Sequence, residues 1–384
     1  MTEADRDFSV FEARMMDEAL RLAALGLHTT DPNPRVGCVL AHGERIVGSG
    51  WHARAGGPHA EIEALRAAGD EARGATAFVT LEPCCHYGRT PPCTNALIEA
   101  GVARVVCAVQ DPHPRVDGVG LEQLRNAGID TRVGLRAGPA RELNAGFISR
   151  FERGRPWVRA KLAGSLDGRT AGADGRSKWI TGEAARADGH RWRARASAIL
   201  TGIETVLADD PSLNARIDDL PRTPLVVIAD RRGRLPGSAR LLSTGAPVLH
   251  AVGPGAAASP RGCERVELPS AGRLGVDPAA LLDELARREI NELHVEAGPT
   301  LTGALLGAGL VDELLLYQAP CLIGADGAPL VRLPGVEKLE QRLHLRLLER
   351  RDLGPDVLLR LAPVVEGGTG FDSRDETIET RAQT

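Results

Sequence analysis

The stretch GGPHAEIEALRAAGDEARGATAFVTLEPCCHYGRTPPC, residues 56–93, decides how this chain is read. His59 and Glu61 sit two apart near its start, and Cys84 and Cys93 stand at the start and end of its cysteine-rich close. One imidazole and two thiolates fill three corners of a tetrahedral zinc site and leave the fourth for water, which separates a catalytic site from a closed structural one. Water held there loses a proton near neutral pH. Glu61 is not counted as a ligand; it is the base placed to take that proton and pass it on. The competing reading is a structural zinc knot or unliganded thiols.

The local pattern supports the catalytic reading. PHAEIEALRAAGD spaces Ile62 and Leu65 as on a helix, among small alanines, and stops at Gly69. His59 and Glu61 therefore fall in a first helical turn, after the turn Gly56-Gly57-Pro58. A strand over 75–81, a loop and a helix over 93–101 follow. Cys84 and Cys93 then lie near a helix N-terminus, where the dipole lowers a thiol pKa and favours the thiolate a metal needs.

Working outward, 384 residues suffice for two domains. A formal net charge of −4 and a pI near 6.2 give no electrostatic footprint for nucleic acid. No long apolar run suggests a membrane span, and the polar N-terminus does not resemble a signal peptide. Seven cysteines at scattered positions show no disulfide framework, as expected for a cytoplasmic protein that keeps thiols for metal.

Upstream, apolar residues at helical spacing predict a helix over 8–26, then a hairpin with strands at 36–40 and 46–47. Downstream, a strand over 102–109, a helix over 120–128 and a strand over 129–133 complete a layered α/β sheet covered on both faces. The charged segment 136–157 reads as a linker with a helical middle. A second α/β pattern follows, with strands at 158–163, 198–201, 225–229, 248–251, 292–296 and 313–318, and helices at 183–196, 278–288 and 300–308. Two further strands about Gly354-Pro355 close it. The expected domains are 8–150 and 156–363, with a disordered tail over 364–384. No GxGxxG follows a strand, so a Rossmann site lacks its fingerprint. HVEAGPTLTGALL instead reads as strand, Gly-Pro turn and helix start, a place suited to a phosphate.

The motifs TDPNPRVGCVL, GWHARAGGPHAE, TLEPCCHYGRTPPCTNALIEAGV, KLAGSLDGRTA, SKWITGEAAR, TVLADDPSLNAR and HVEAGPTLTGALL recur in order across both halves. By these the chain resembles, nearly end to end, the bifunctional deaminase/reductase family of bacterial riboflavin biosynthesis. The resemblance implies a cytidine-deaminase-like three-layer α/β/α domain followed by a dihydrofolate-reductase-like α/β domain. It implies zinc-dependent deamination of 2,5-diamino-6-ribosylamino-4(3H)-pyrimidinone 5′-phosphate, then NADPH-dependent reduction of the ribosyl chain of the product. His59, Cys84 and Cys93 match the zinc ligands, Glu61 the proton shuttle and Asn33 a pyrimidine contact. Eight residues separate the two cysteines, where the general zinc-deaminase signature has two. Two positions depart from the family motif: Cys85 stands where Ser is common, and His113 where Asn is usual. Cys84 is the better ligand because it directly follows Glu82-Pro83. His113 is expected to be a loop substitution, with a place at the site mouth left open.

In the second half the resemblance assigns Ala163, Trp179, Thr205, Asp209, Gly298, Pro299, Thr300, Leu301, Thr302, Gly303 and Ala304 to NADPH. It assigns Lys161, Ser177, Arg193, Leu213, Arg216 and Glu296 to the substrate. Arg193 and Arg216 would supply two guanidiniums for one phosphomonoester, although Arg193 alone reads as one of several solvated arginines on a basic helix face. Thr181 reads as the cap of that helix. The expected partner is a small pyrimidine ribonucleotide, with no nucleic acid and no membrane; a homo-oligomer is left open. The alternatives are a monofunctional base or nucleotide deaminase with a non-catalytic nucleotide-binding second domain, a nucleic-acid deaminase, and a zinc-stabilised regulator.

Overall fold

The computed structural model describes residues 7–87, 91–217, 220–271 and 275–364. From 365 onward, the tail read from the sequence lies outside the described residues. Helix α1 (Val10–Ala24) starts behind Ser9, whose hydroxyl accepts from the Glu12 N–H while Glu12 reaches back to the Ser9 N–H, a capping box. Then follow β1 (Gly37–His42), β2 (Arg45–Trp51), α2 (Ala60–Ala68), β3 (Thr76–Val79), α3 (Cys93–Glu99), β4 (Arg104–Cys107), α4 (Val119–Asn126) and β5 (Asp130–Val133). The strands form one sheet in the order β2-β1-β3-β4-β5, antiparallel across β2-β1-β3 and parallel across β3-β4-β5.

Alternation along the strands sorts the core into two layers. Val39, Phe78 and Val106 point to the face covered by Met16, Ala19 and Leu22 of α1. Cys38, Leu40, Val79 and Val105 point to the other, against Ala60 and Ala64 of α2, Leu97 of α3 and Leu121 of α4. The expected α/β/α sandwich results. The segment read as a linker is two helices, α5 (Ala137–Leu143) and α6 (Ala145–Arg153), and Phe147 and Ile148 of α6 are part of the first core. Charge on its outer face hid that buried stripe.

Helix α2 sits closer to the sheet than an ordinary side chain allows. Its buried face is Ala60, Glu61, Ala64 and Ala68, while Ile62 and Leu65 are only partly covered. A Cβ on Gly50 of β2 would lie 2.6 Å from the Ala64 nitrogen and 2.7 Å from the Ala60 oxygen. Glycine on the strand and alanine on the helix thus seat the backbone that carries Glu61 directly on the sheet.

The second half contains β6 (Trp157–Ser165), β7 (Arg169–Ala171), α7 (Glu183–Arg195), β8 (Ala198–Gly202), α8 (Ile203–Asp209), β9 (Leu225–Ala229), β10 (Val248–Val252) and β11 (Cys263–Glu267). After the short β12 (Ser270–Ala271) and β13 (Gly275–Val276) come α9 (Pro278–Arg287), β14 (Glu292–Val295), α10 (Pro299–Gly307), β15 (Glu313–Ala319), the short β16 (Ala328–Pro329), β17 (Leu345–Leu353) and β18 (Asp356–Pro363). Nine strands make one sheet in the order β11-β10-β9-β8-β14-β6-β15-β18-β17, and only its β18 and β17 end runs antiparallel. Runs such as LVVIA and VLHAV are buried on both faces, as strands covered by helices on each side require. The N-cap of α7 is Gly182 rather than Thr181: the Asp356 carboxylate, from the far hairpin, accepts from the Gly182 N–H at 2.7 Å. No helix among the described residues is long and apolar enough to cross a membrane.

The two sheets are joined by polar contacts. Arg35 bonds Glu292, Ser197 Oγ donates to Asp31 Oδ1 at 2.9 Å, and Asn291 Nδ2 donates to Asp31 Oδ1 and to the Pro32 carbonyl at 3.0 and 2.8 Å.

Candidate functional site

His59 is the N-cap of α2 but makes no side-chain cap bond, so its ring turns toward the cysteines. Its Nδ1 lies 3.2 Å from Cys93 Sγ and 3.5 Å from Cys84 Sγ. Cys93 opens α3, and its N–H donates to Cys84 Sγ at 3.4 Å. The three donor atoms lie within 4.8 Å of one another. Zinc bonds of 2.0–2.3 Å at tetrahedral angles set donor separations of about 3.5 Å, so this donor set fits that ion. Hydrogen bonding from the Cys93 thiol and from His59 pulls the Cys84 thiol down, toward the thiolate a metal needs. Cys85 turns away and donates to the Arg115 carbonyl at 3.3 Å, which leaves Cys84 as the thiol in the cluster.

Glu61, in the first turn of α2, is 3% exposed. Burial pushes its carboxyl up to about 7, the neighbouring Cys84 adds to the rise, and His59 opposes it. A carboxyl balanced there can both accept and return a proton near neutrality.

A cavity of about 520 Å³ opens over these groups. Asn33 of the DPNP turn lines it and donates from Nδ2 toward His52 Nε2 at 3.1 Å. The Pro58 carbonyl, 2.9 Å from His52 Nδ1, holds that ring in the tautomer whose Nε2 accepts. His52, Asp111, His113, Arg150, Phe151 and Glu289 also line the cavity, and sequence reading singled out none of them except His113. The sequence signal for His52 was its place in GWHARAGG, beside the His59 motif. Burial pushes the Asp111 carboxyl up to about 7, against the His113 N–H that favours its charged form. His113 is therefore more than a loop substitution: its ring stacks on His86 at 5.8 Å and packs against Phe151 at 4.7 Å. Glu82 organises this wall from behind, accepting from the N–H groups of Asp111, Gly118 and Leu121 at 3.2, 2.9 and 3.1 Å.

In the second half, β6 and the end of β14 bring Lys161, Arg193 and Glu296 together. Arg193 forks onto both oxygens of Glu296 and also donates to the Asn214 carbonyl at 3.0 Å, so it is no solvated arginine. Burial pushes Glu296 up, but Arg193 outweighs it and holds the carboxyl well below its usual range. Lys161, its ammonium 5.8 Å over the Tyr317 ring, is lowered by burial and by Arg193, with Glu296 opposing. Arg216 is exposed and its N–H donates to His190 Nδ1 at 3.2 Å. Burial, then the charges of Arg193 and Arg216, lower the His190 imidazole, so both guanidiniums act in one field.

Thr205 Oγ1 accepts from the Gly298 N–H at 3.3 Å and draws α8 to the start of α10. Lys178 donates to the Asp209 carbonyl at 3.3 Å and brings the Ser177–Trp179 loop to the other end of α8. The Trp179 ring is 70% exposed, with the Arg186 guanidinium 4.7 Å from its centre. Ala163, Pro299, Leu301 and Ala304 are partly covered, and Thr300 is exposed. Leu213, Thr302 and Gly303 are buried. Leu213 packs with Ile199 and Ile203, and a Cβ on Gly303 would lie 1.9 Å from the Arg332 carbonyl oxygen. These three serve packing, and a contribution to a ligand would come through their backbone.

A buried carboxyl over one imidazole and two thiols, at the strand ends of an α/β/α sheet, is the layout of the zinc-dependent deaminases; here it is joined to a second, largely parallel α/β domain. Residues 10–109 match the cytidine and deoxycytidylate deaminase zinc-binding region, and residues 156–359 match the RibD C-terminal domain. The riboflavin biosynthesis protein RibD of Haemophilus influenzae is 46% identical, over 93% of this chain and 99% of that protein. Its Escherichia coli counterpart is 47% identical, over 90% and 98%. Acinetobacter baumannii RibD superposes with a TM-score of 0.85 at 43% identity, covering 92% of this chain and 99% of that one. A diaminohydroxyphosphoribosylaminopyrimidine deaminase/5-amino-6-(5-phosphoribosylamino)uracil reductase of Thermotoga maritima gives 0.83 at 33%, with the same coverage. The chain belongs to the RibD family of bifunctional deaminase/reductases of riboflavin biosynthesis.

Proposed function

We propose that the first domain deaminates 2,5-diamino-6-ribosylamino-4(3H)-pyrimidinone 5′-phosphate, and that the second reduces the ribosyl chain of the resulting 5-amino-6-(5-phosphoribosylamino)uracil to ribityl with NADPH. The observation that carries this reading is the convergence of the His59, Cys84 and Cys93 donor atoms beside buried Glu61, at a cavity lined by His59, Glu61 and Cys84. His59, Cys84 and Cys93 would hold zinc, which when bound supplies Lewis-acid activation of water. Glu61 moves the proton, toward the ring and the departing ammonia. Asn33, held by His52, orients the pyrimidine.

In the second domain, Gly298 to Ala304 would hold NADPH with Ala163, Trp179, Thr205 and Asp209, and the cofactor supplies the hydride. The support is the start of α10, where a Gly-Pro turn presents backbone N–H groups suited to phosphate. Lys161, Ser177, Arg193, Leu213, Arg216 and Glu296 would frame the substrate. Arg193 and Arg216 bind its phosphate, and Glu296 takes a ribose hydroxyl once Arg193 turns to the phosphate. The test is a two-step assay of the zinc-loaded protein on the diaminopyrimidine phosphate. Ammonia release followed by loss of NADPH absorbance is expected; ammonia without NADPH loss would reduce the second domain to a binding module.

A further inference from the structure

A residue of the other domain bonds two of the residues that line the deaminase cavity. Asn291 immediately precedes β14 and is 3% exposed. Its side-chain amide uses all three of its polar contacts on the far side of the domain boundary. Oδ1 accepts from Arg150 Nε at 2.8 Å, and Nδ2 donates to the Pro32 carbonyl at 2.8 Å and to Asp31 Oδ1 at 3.0 Å. Arginine only donates, and a carbonyl and a carboxylate only accept, so the neighbours leave one orientation for this amide.

Two of these partners, Pro32 and Arg150, line the deaminase cavity. Pro32 lies beside Asn33 in the DPNP turn, and Arg150 lies over the Phe151 ring at 4.6 Å. The backbone of Asn291 is itself fixed. Its N–H donates to Ser197 Oγ at 3.1 Å and its carbonyl accepts from Trp157 N at 2.8 Å. A Cβ on Gly146 of α6 would meet that carbonyl oxygen at 2.6 Å, so the helix carrying Arg150 is seated against it. A short, buried amide anchored in the second sheet therefore ties the Pro32–Asn33 turn to Arg150, both of which line the cavity.

We infer that Asn291 is a positioning residue for deamination, acting through the Pro32–Asn33 turn and through Arg150. This inference rests on the deaminase reading given above and adds a residue of the reductase half to that reaction.

The test uses the full-length, zinc-loaded protein. Asn291→Asp sets a carboxylate against Asp31 and the Pro32 carbonyl while keeping the acceptor for Arg150. Losing hydrogen bonds to charged partners lowers kcat/KM for ammonia release by about 10–100-fold. Zinc content stays at the wild-type level, and reduction of separately supplied deaminated substrate stays within about twofold, because Asn291 touches no group placed in the reductase site. The double variant Asp31→Asn with Asn291→Asp restores a donor–acceptor pair and recovers part of the loss, which a packing role would not give. Should Asn291→Asp fail to accumulate, Asn291→Ser, too short to reach both Arg150 and Pro32, is read in the same way. Deamination that stays at the wild-type rate, half-reactions that fall together, or no recovery in the double variant overturns the inference. Wild-type ammonia release beside an unimpaired variant overturns the role of Asn291 and leaves the deaminase function standing.

Discussion

Arg35 Nη1 donates to Glu292 Oε1 at 2.6 Å, and neither side chain is more than 6% exposed. The bond joins the turn after α1 to the first residue of β14. Arg159 and Arg195 reach the same carboxylate, Arg159 also pairs with Glu313, and Arg360 pairs with Glu313 in turn. A lone buried carboxylate would cost several kcal/mol; surrounded by three guanidiniums it becomes the hub of the boundary.

Glu292→Gln is therefore expected to destabilise the protein by about 3–5 kcal/mol, because three guanidiniums lose their shared counter-charge. Burial pushes the Glu292 carboxyl up, but Arg195, Arg159 and Arg35 outweigh it and hold it well below its usual range. A folded-state pKa below the unfolded one contributes stability above the usual carboxylate range, about 4.3, that is lost as pH falls toward the folded value. Thermal melts should show the gap between wild type and variant constant from pH 8 to pH 5 and narrowing only in stronger acid.

Glu61→Gln keeps the shape of the carboxyl and removes its proton. Ammonia release should fall by about 10²–10⁴-fold, the usual weight of a general acid–base group. Zinc content should be unchanged and reduction of deaminated substrate retained. Ammonia, zinc and NADPH assays on one preparation check all three.

Chelation should separate the two activities. Removing zinc is expected to abolish ammonia release, leave NADPH-dependent reduction in place and lower the first melting transition. One equivalent of zinc should restore both losses. Reduction that vanishes with the metal would count against independent sites.

Arg193→Lys keeps the charge but loses the fork that grips Glu296. The reductase KM is expected to rise, with a loss of roughly 1.5–3 kcal/mol in kcat/KM, the weight of hydrogen bonds to a charged group. Deamination should be untouched. Initial rates of each half-reaction give the answer.

Much of this was legible from the chain. The order HAE, PCC, PPC names the donors because chemistry fixes residue type, and the short apolar runs at β1 and β3 place the sheet. What escaped depended on long-range packing. Phe147 and Ile148 are a narrow apolar stripe in a charged segment, so the segment reads as a connection until a core is there to receive them. Asp111 and Arg150 look like ordinary loop and surface charges; only the fold turns them onto the cavity. The cap of α7 was misplaced because its partner, Asp356, lies far along the chain, beyond any local rule.

Asn291 and Glu296 lie five positions apart on a single run of backbone, one bonded to residues that line the first cavity, the other gripped by Arg193 in the second half. That proximity bears on whether such an enzyme can be divided into separately encoded pieces. A cut near residue 154 spares every zinc donor, yet strips the first fragment of the amide that ties Pro32 to Arg150 and leaves Arg35 without its carboxylate. The second fragment would in turn expose Glu292 with part of its cationic shell missing. Splitting the gene would thus require rewriting this seam in both products, so fusion here is maintained by the protein's own architecture as well as by the convenience of making two activities together.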